Sequence, residues 1–324
     1  MPLENPIPVI GVDLGGSKVA VGVVNERGEI LLKTREETPV EEGSSRITNR
    51  IVDIIFRLLR QLAIAKENIK GVGVGAPGQI DPRSGTVLFA PNLRWERVPL
   101  SKNLHDLLGL PVLVDNDVRL MAIAEHRFGA GQGGRDIICI FVGTGIGSGI
   151  IINGRLLRGV GNYAGEIGHM TIEAQGPLCG CGNYGCYEAL AAGPAIARRA
   201  VTRLAKGEDS LIREMVEGDF SHILPSLIFR AAEKGDRLAR EILEESAEYL
   251  GIGVANLINI FNPELVILGG GVLEVIPDML EKIEATVKRR ALPAASQGAK
   301  IVPARLGNDA GIIGGALLAL EGRI

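Results

Sequence analysis

An α/β chain built from two similar lobes is predicted by three observations. Short apolar runs end in glycine clusters, amphipathic stretches lie between them, and one local plan occurs twice. Strands alternating with helices imply open sheets covered by helices. With 324 residues, 46% of them hydrophobic, the chain can fill one large core or two ordinary ones.

The first cluster sets the plan. Val9 to Leu14 reads as a strand, Gly15-Gly16-Ser17-Lys18 as a turn and Val19 to Val24 as a second strand. Asn25-Glu26-Arg27-Gly28 is a hairpin turn that leads into a further strand from Glu29. The second cluster repeats this order: Ile137 to Val142, then Gly143-Thr144-Gly145-Ile146-Gly147-Ser148-Gly149, then Ile150 to Ile152 and the turn Asn153-Gly154. The shared order indicates a degenerate internal duplication. No charge interrupts Ile137 to Gly154, a length that raises the question of a membrane span. Glycines at alternate positions favour two buried strands around a bend instead. A third cluster, Gly269-Gly270-Gly271, follows the strand-like Leu265 to Leu268.

Helices occupy the intervals. Ile47, Ile51, Ile54, Ile55, Leu58, Leu59 and Leu62 recur at the spacing of one buried helical face. Pro194 to Lys206 and Asp236 to Asn262 also read as helices, the second loosened at Gly251 and Gly253 and stopped by Pro263. Asp115-Asn116-Asp117 stands between the strand-like Pro111 to Val114 and a helical stretch through Phe128. It marks the expected boundary: a smaller lobe over 1–115, a larger one over 116–309, and a last helix from about 310 that returns to the first lobe through 324.

Composition narrows the function. A net charge of −3 with both signs interspersed gives no nucleic-acid footprint. The opening Met1 to Pro8 lacks the basic start and apolar run of a signal peptide, so a cytoplasmic protein is expected. Clustered cysteines in that setting point to metal rather than to disulfides.

The most specific motif runs from His169 to Glu188. Three of the four cysteines, Cys179, Cys181 and Cys186, lie within eight residues, with His169 just upstream. Three thiolates and an imidazole make a closed tetrahedral set for a structural Zn2+, and the flanking Glu166 and Glu188 remain available for other work. A thioredoxin pair would need two residues between cysteines, whereas Cys179 and Cys181 have one between them.

Two glycine turns suggest phosphate. After Asp13, the turn Gly15-Gly16-Ser17-Lys18 can bring backbone N–H groups to phosphate oxygens, and Asp13 can hold hydrated Mg2+. It is no P-loop, since serine precedes lysine. In the second turn Thr144 and Ser148 add hydroxyl donors. Gly73-Val74-Gly75-Ala76-Pro77-Gly78 matches a dinucleotide string, but Pro77 and the lack of a following helix pattern mark it as coincidence. Asn116 and Asp117 offer an amide for a sugar and a carboxylate able to take a hydroxyl proton. Asn92, in Pro91-Asn92-Leu93, carries little weight alone. His105, His126 and His222 have no partners at ligand spacing, and Cys139 reads as a small core residue.

Together these motifs, along nearly the whole chain, resemble the ROK family (repressors, open reading frames and sugar kinases). The carriers are Asp13 to Lys18, Ala76-Pro77-Gly78, Pro91-Asn92-Leu93, Asn116-Asp117, Gly143 to Gly149, Glu166-Ile167-Gly168-His169, the cysteine motif to Glu188, and Gly269 to Gly271. The resemblance implies a two-lobed actin/hexokinase-like (ribonuclease H-like) fold with a cleft between the lobes. It implies ATP and Mg2+ as cofactors, with phosphates held by Asp13, Gly15, Gly16, Ser17 and Lys18 and by Thr144, Gly145 and Gly147. Gly269, Gly270 and Gly271 would pass beside the adenosine. Sugar hydroxyls would fall to Gly78, Asn92, Asn116, Asp117, Glu166, His169 and Glu188, with Asp117 as general base. His169 would place one ring nitrogen on zinc and the other on the sugar.

Ser17 stands where many members carry threonine, and the hydroxyl is kept. Family repressors carry a helix-turn-helix domain before the first phosphate motif, and about a dozen residues precede Asp13 here. The expected activity is therefore an ATP-dependent hexose 6-kinase acting on glucose, as a homodimer without nucleic-acid or membrane partners. Ala76-Pro77-Gly78 and Trp95 look more like the glucokinases of the family than its N-acetylmannosamine kinases. The alternatives are an N-acetylhexosamine kinase, a polyphosphate-using glucokinase and a non-catalytic sugar sensor on the same fold.

Overall fold

In the computed structural model, which describes residues 7–322, the chain divides into two units. One runs up to Gly133 and adds Gly149–Ala164 and the segment from Leu306; the other holds Gly134–Ser148 and Gly165–Arg305. Residues 1–6, within the Met1 to Pro8 opening that lacks the signal-peptide pattern, lie outside the described residues, as do 323–324.

The first unit is laid on strands β1 (Val9–Leu14), β2 (Lys18–Val24), β3 (Ile30–Glu37), β4 (Val72–Ala76), β5 (Gln79–Asp81), β6 (Thr86–Ala90), β7 (Trp95–Val98) and β8 (Val112–Asn116). Its main sheet has the order β3-β2-β1-β4-β8. The β1–β2–β3 hairpins are antiparallel, while β1, β4 and β8 run parallel. Strands covered on both faces need unbroken apolar runs, and β1 is buried throughout except at Asp13. The helix Gly43–Gln61 turns Ile47, Ile51, Ile54, Ile55, Leu58 and Leu59 into this core. On another side Val9, Ala20 and Val24 meet Ile312 and Ala316 of the helix Ala310–Glu321. That helix can lie directly on the sheet because Gly11 and Gly73 carry no side chain. A Cβ at either would sit 1.9 Å from a carbonyl oxygen of the helix. Gly73 thus has a packing reason, in keeping with the rejected dinucleotide string.

The second unit contributes β9 (Ile137–Val142), β10 (Ile146–Ile152), β11 (Arg155–Leu156), β12 (Leu265–Gly269) and β13 (Lys300–Pro303). The division of units falls inside β10, and the sheet order is β11-β10-β9-β12-β13. As in the first unit, a strand, turn, strand and hairpin are followed by parallel strands, here β12 beside β9 and β13 beside β12. The Ile137 to Gly154 run is this strand pair, and among the described residues no helix is long and apolar enough to cross a membrane.

Three sequence expectations change. The first division comes after Gly133, not at 115, because Leu120, Ile123 and Ala124 of the helix Asp117–Phe128 pack with Ile313, Leu317 and Leu318. The helix Arg237–Phe261 runs without a break. Gly251 and Gly253 admit neighbours instead of loosening it: a Cβ would lie 2.4 Å from Thr286 and 2.3 Å from the Tyr187 ring. Finally β10 starts at Ile146, so the second glycine turn is only Gly143 to Gly145.

Candidate active site and metal centre

In the first unit the carboxyl ends of the parallel strands gather the candidates. Register places Asp13 beside Gly75 and Gly75 beside Asp115. The turn after β1, Gly78 after β4 and Asn116-Asp117 after β8 therefore share one sheet edge, the usual ligand edge of parallel sheets. The turn is closed by the Gly15 N–H donating to Lys18 O at 2.9 Å. Thr38 braces it, its hydroxyl donating to Gly15 O at 2.8 Å and its N–H to Ser17 O at 3.0 Å. Gly16 lies against Asn92, whose carbonyl oxygen would be 2.9 Å from a Cβ there. Asn92 and Ser17 are exposed. Lys18 joins Arg35, Glu36, Glu37 and Arg50 around a hollow of about 500 Å³.

Asn116 has two tasks. Its Oδ1 accepts the Arg119 N–H at 3.1 Å, capping the helix Asp117–Phe128, and its Nδ2 donates to Gly78 O at 3.3 Å. Asp117 follows in the first turn, where the amide dipoles favour negative charge. Its Oδ1 accepts the Val118 N–H at 2.8 Å, which fixes the carboxylate. Just before it, Asp115 is buried and paired with Arg158 at 2.7 Å, and Asn162 joins the pair. Asp13 is the electrostatic oddity: burial pushes its carboxyl up to about 6, against the opposing pull of Arg35. Gly311, at the start of the helix Ala310–Glu321, would bring a Cβ within 2.4 Å of the Asp13 Cγ.

In the second unit the turns after β9 and β12 share an edge, since Gly269 pairs with Phe141. Gly143, Thr144 and Gly271 line a cavity of about 660 Å³ with Gly193, Arg198 and Pro225 among the other walls. A largely apolar hollow with a few polar side chains in its wall suits a nucleoside, with the glycine turns for its phosphates. Gly269 ends β12, and Gly270 takes φ 96°, a left-handed backbone that glycine adopts without strain. Two expected ligands fall away from the turn. Gly147 lies within β10, and the Ser148 hydroxyl is buried and donates to Gly165 O at 2.6 Å.

Glu166 precedes the 3₁₀ turn Ile167–His169 and accepts the His169 N–H on its carbonyl at 3.1 Å. Both side chains are exposed, and Glu188 is half-buried on the short helix Tyr187–Ala191. The ligand atoms of His169, Cys179, Cys181 and Cys186 all lie within 4.8 Å of one another. Cys181 Sγ is 3.7 Å from Cys186 Sγ, and Cys179 Sγ is 3.8 Å from His169 Nδ1. A tetrahedral ion with metal–sulfur bonds of about 2.3 Å needs edges of roughly 3.8 Å, so the set fits zinc. Nδ1 faces the sulfurs, which leaves Nε2 for another partner.

Some contributors carry no motif. Thr38, the Asp115–Arg158–Asn162 cluster, and the cavity walls on the helix Gly193–Ala205 and near Phe220 come from segments remote in sequence. Only Asp115, beside Asn116-Asp117, had a local signal.

The ROK family model matches residues 9–322. A glucokinase of Halalkalibacterium halodurans is 37% identical, over 96% of this chain and 94% of that one. A xylose repressor of Caldicellulosiruptor bescii is 36% identical, over 94% of this chain and 76% of the repressor. The crystal structure of a ROK family glucokinase from Streptomyces griseus, in complex with glucose and AMPPNP, superposes with a TM-score of 0.85. It is 38% identical and covers 97% of this chain and all of its own. The chain belongs to the ROK family.

Proposed function

We propose that the chain is an ATP-dependent hexose 6-kinase acting on glucose. Overall identity does not choose between kinase and repressor, because both kinds of relative match at similar levels. The observation that carries the reading is Asp117, a carboxylate fixed at a helix N-terminus on the same sheet edge as a phosphate-type glycine turn.

As the family resemblance implies, the sugar hydroxyls fall to Gly78, Asn92, Asn116, Glu166, His169 and Glu188. Asp117 accepts the proton of the 6-hydroxyl as its oxygen attacks the γ-phosphorus. The new O–P bond forms as the bond to the β,γ-bridging oxygen breaks and ADP leaves. Bound Mg2+ would neutralise phosphate charge beside Asp13, and the amides of Gly16, Ser17, Thr144 and Gly145 orient the phosphates. Zinc on Nδ1 would fix the ring of His169 so that Nε2 meets a sugar hydroxyl in one tautomer. The same reading takes the enzyme as a cytoplasmic protein and, as the family resemblance implies, a homodimer; sedimentation checks its oligomeric state.

The test compares wild type with Asp117→Asn, following glucose 6-phosphate with a coupled dehydrogenase and glucose binding by calorimetry. Removal of a general base lowers kcat by about 10²–10⁴ while glucose binding persists. Turnover within a few-fold of wild type removes Asp117 from that role.

A further inference from the structure

In the second unit one residue, Ile146, lies between the groups assigned to sugar and to phosphate. The Ile146 N–H, the first after the Gly143 to Gly145 turn, donates to Glu188 Oε2 at 2.9 Å. A Cβ on residue 145 would lie 2.3 Å from that same oxygen, so the carboxylate occupies the place of a missing side chain. On its carbonyl side Ile146 touches Gly168, where a Cβ would be 2.1 Å from Ile146 O; Gly168 belongs to the turn between Glu166 and His169.

The glycine turn is also tied to the cavity wall, with the Gly193 N–H donating to Gly143 O at 2.9 Å. Arg198, which lines that cavity, donates to Ala189 O at 2.8 Å, one residue from Glu188. The helix bearing Glu188 starts directly after the metal-set residue Cys186. Any shift of Glu188 along this helix therefore pulls on the phosphate turn.

Building on the hexose kinase reading, we propose that Glu188 is a positioning residue that couples sugar binding to nucleotide binding. One carboxylate oxygen holds the Ile146 N–H of the phosphate turn, and the other is left for a sugar hydroxyl. Sugar that fixes Glu188 also fixes the turn, and by linkage phosphates that fix the turn favour sugar by the same factor.

The experiment is a pair of calorimetric titrations on the full chain with zinc bound: glucose with and without a non-hydrolysable ATP analogue and Mg2+, and the reverse. Wild type is expected to show mutual tightening of about tenfold, within the usual range of such couplings. Gly145→Ala, whose methyl displaces the Glu188 oxygen, should weaken glucose even without nucleotide and bring the factor close to one. Should that variant not fold, Glu188→Ala and Glu188→Gln serve. Glu188→Ala should abolish the tightening, and Glu188→Gln, which keeps an acceptor for Ile146, should restore part of it. Independent binding in wild type, or undiminished tightening in Gly145→Ala or Glu188→Ala, overturns the coupling and leaves the kinase reading intact. Failure of wild type to bind either ligand overturns the kinase reading and the coupling with it.

Discussion

Asp13, near the carboxyl end of β1, is held at the expense of the fold. Its carboxyl is pushed from the usual 3.8 up to about 6 by burial, with Arg35 only partly opposing. A folded-state value above the unfolded one means that the protonated form is the comfortable one. Its contribution is full below about 3.9 and is lost as pH rises through about 6. Two units of displacement correspond to about 3 kcal/mol; with the partly open side of the group allowed for, about 1–3 kcal/mol remains. Asp13→Asn removes the charge and keeps the shape. In magnesium-free, ligand-free buffer at pH 7.5 the variant should melt several degrees above wild type, at roughly 2–4 °C per kcal/mol for a unit of this size. The gap should shrink as pH falls towards 4, where both side chains are neutral. Scanning calorimetry at pH 7.5, 6 and 4.5 reads this directly, and the same variant should lose turnover. A variant no more stable than wild type at pH 7.5, or a gap that does not change with pH, refutes the burial argument.

Zinc removal gives a second prediction. Burial, and then the sulfurs of Cys181 and Cys179, push the Cys186 thiol up to about 12 in the absence of metal. Binding of zinc must then expel protons, so apparent zinc affinity should rise with pH between 6 and 8, as chelator competition measures. Cys181→Ser should lower zinc content and weaken glucose binding through His169; full glucose affinity in zinc-free protein would sever that link. Ser148→Ala should leave the KM for ATP within two-fold while costing about 1 kcal/mol of stability, because its hydroxyl serves Gly165 O. A tenfold rise in that KM would return Ser148 to the phosphate site. Val201→Trp, on the wall of the second unit's cavity, should raise the KM for ATP at least tenfold with little change in glucose binding. An unchanged KM would place the nucleoside elsewhere.

Fold and site are legible in the sequence to different depths. Strands such as β1 and β9 announce themselves because burial on both faces demands unbroken apolar runs ended by a turn. The helix Gly43–Gln61 shows its buried face by simple periodicity, and the metal set by its rare residue types. What fails is arbitration by tertiary contact. Gly147 and Gly149 look like loop yet lie in β10, because glycine spacing records where neighbours press close as well as where the chain bends. The same ambiguity makes Gly251 and Gly253 look like weak points of a helix that is continuous. The unit division at Gly133 depends on Leu120 and Ile123 finding Ile313 and Leu317 nearly 200 residues away, which no local pattern encodes. The bond from Ile146 to Glu188 is likewise invisible until the chain is folded.

Sugar-dependent ADP release is the most direct test. Folded, zinc-loaded protein is given Mg-ATP with glucose, mannose, fructose, glucosamine, N-acetylglucosamine or N-acetylmannosamine, each separately. The hexose kinase reading predicts Mg2+-dependent release with glucose well above the rate without sugar, and little with the 2-acetamido sugars. Release with the 2-acetamido sugars in preference to glucose would make it an amino-sugar kinase. No sugar-dependent release would contradict the ATP-dependent kinase and favour another phosphoryl donor or a sugar sensor.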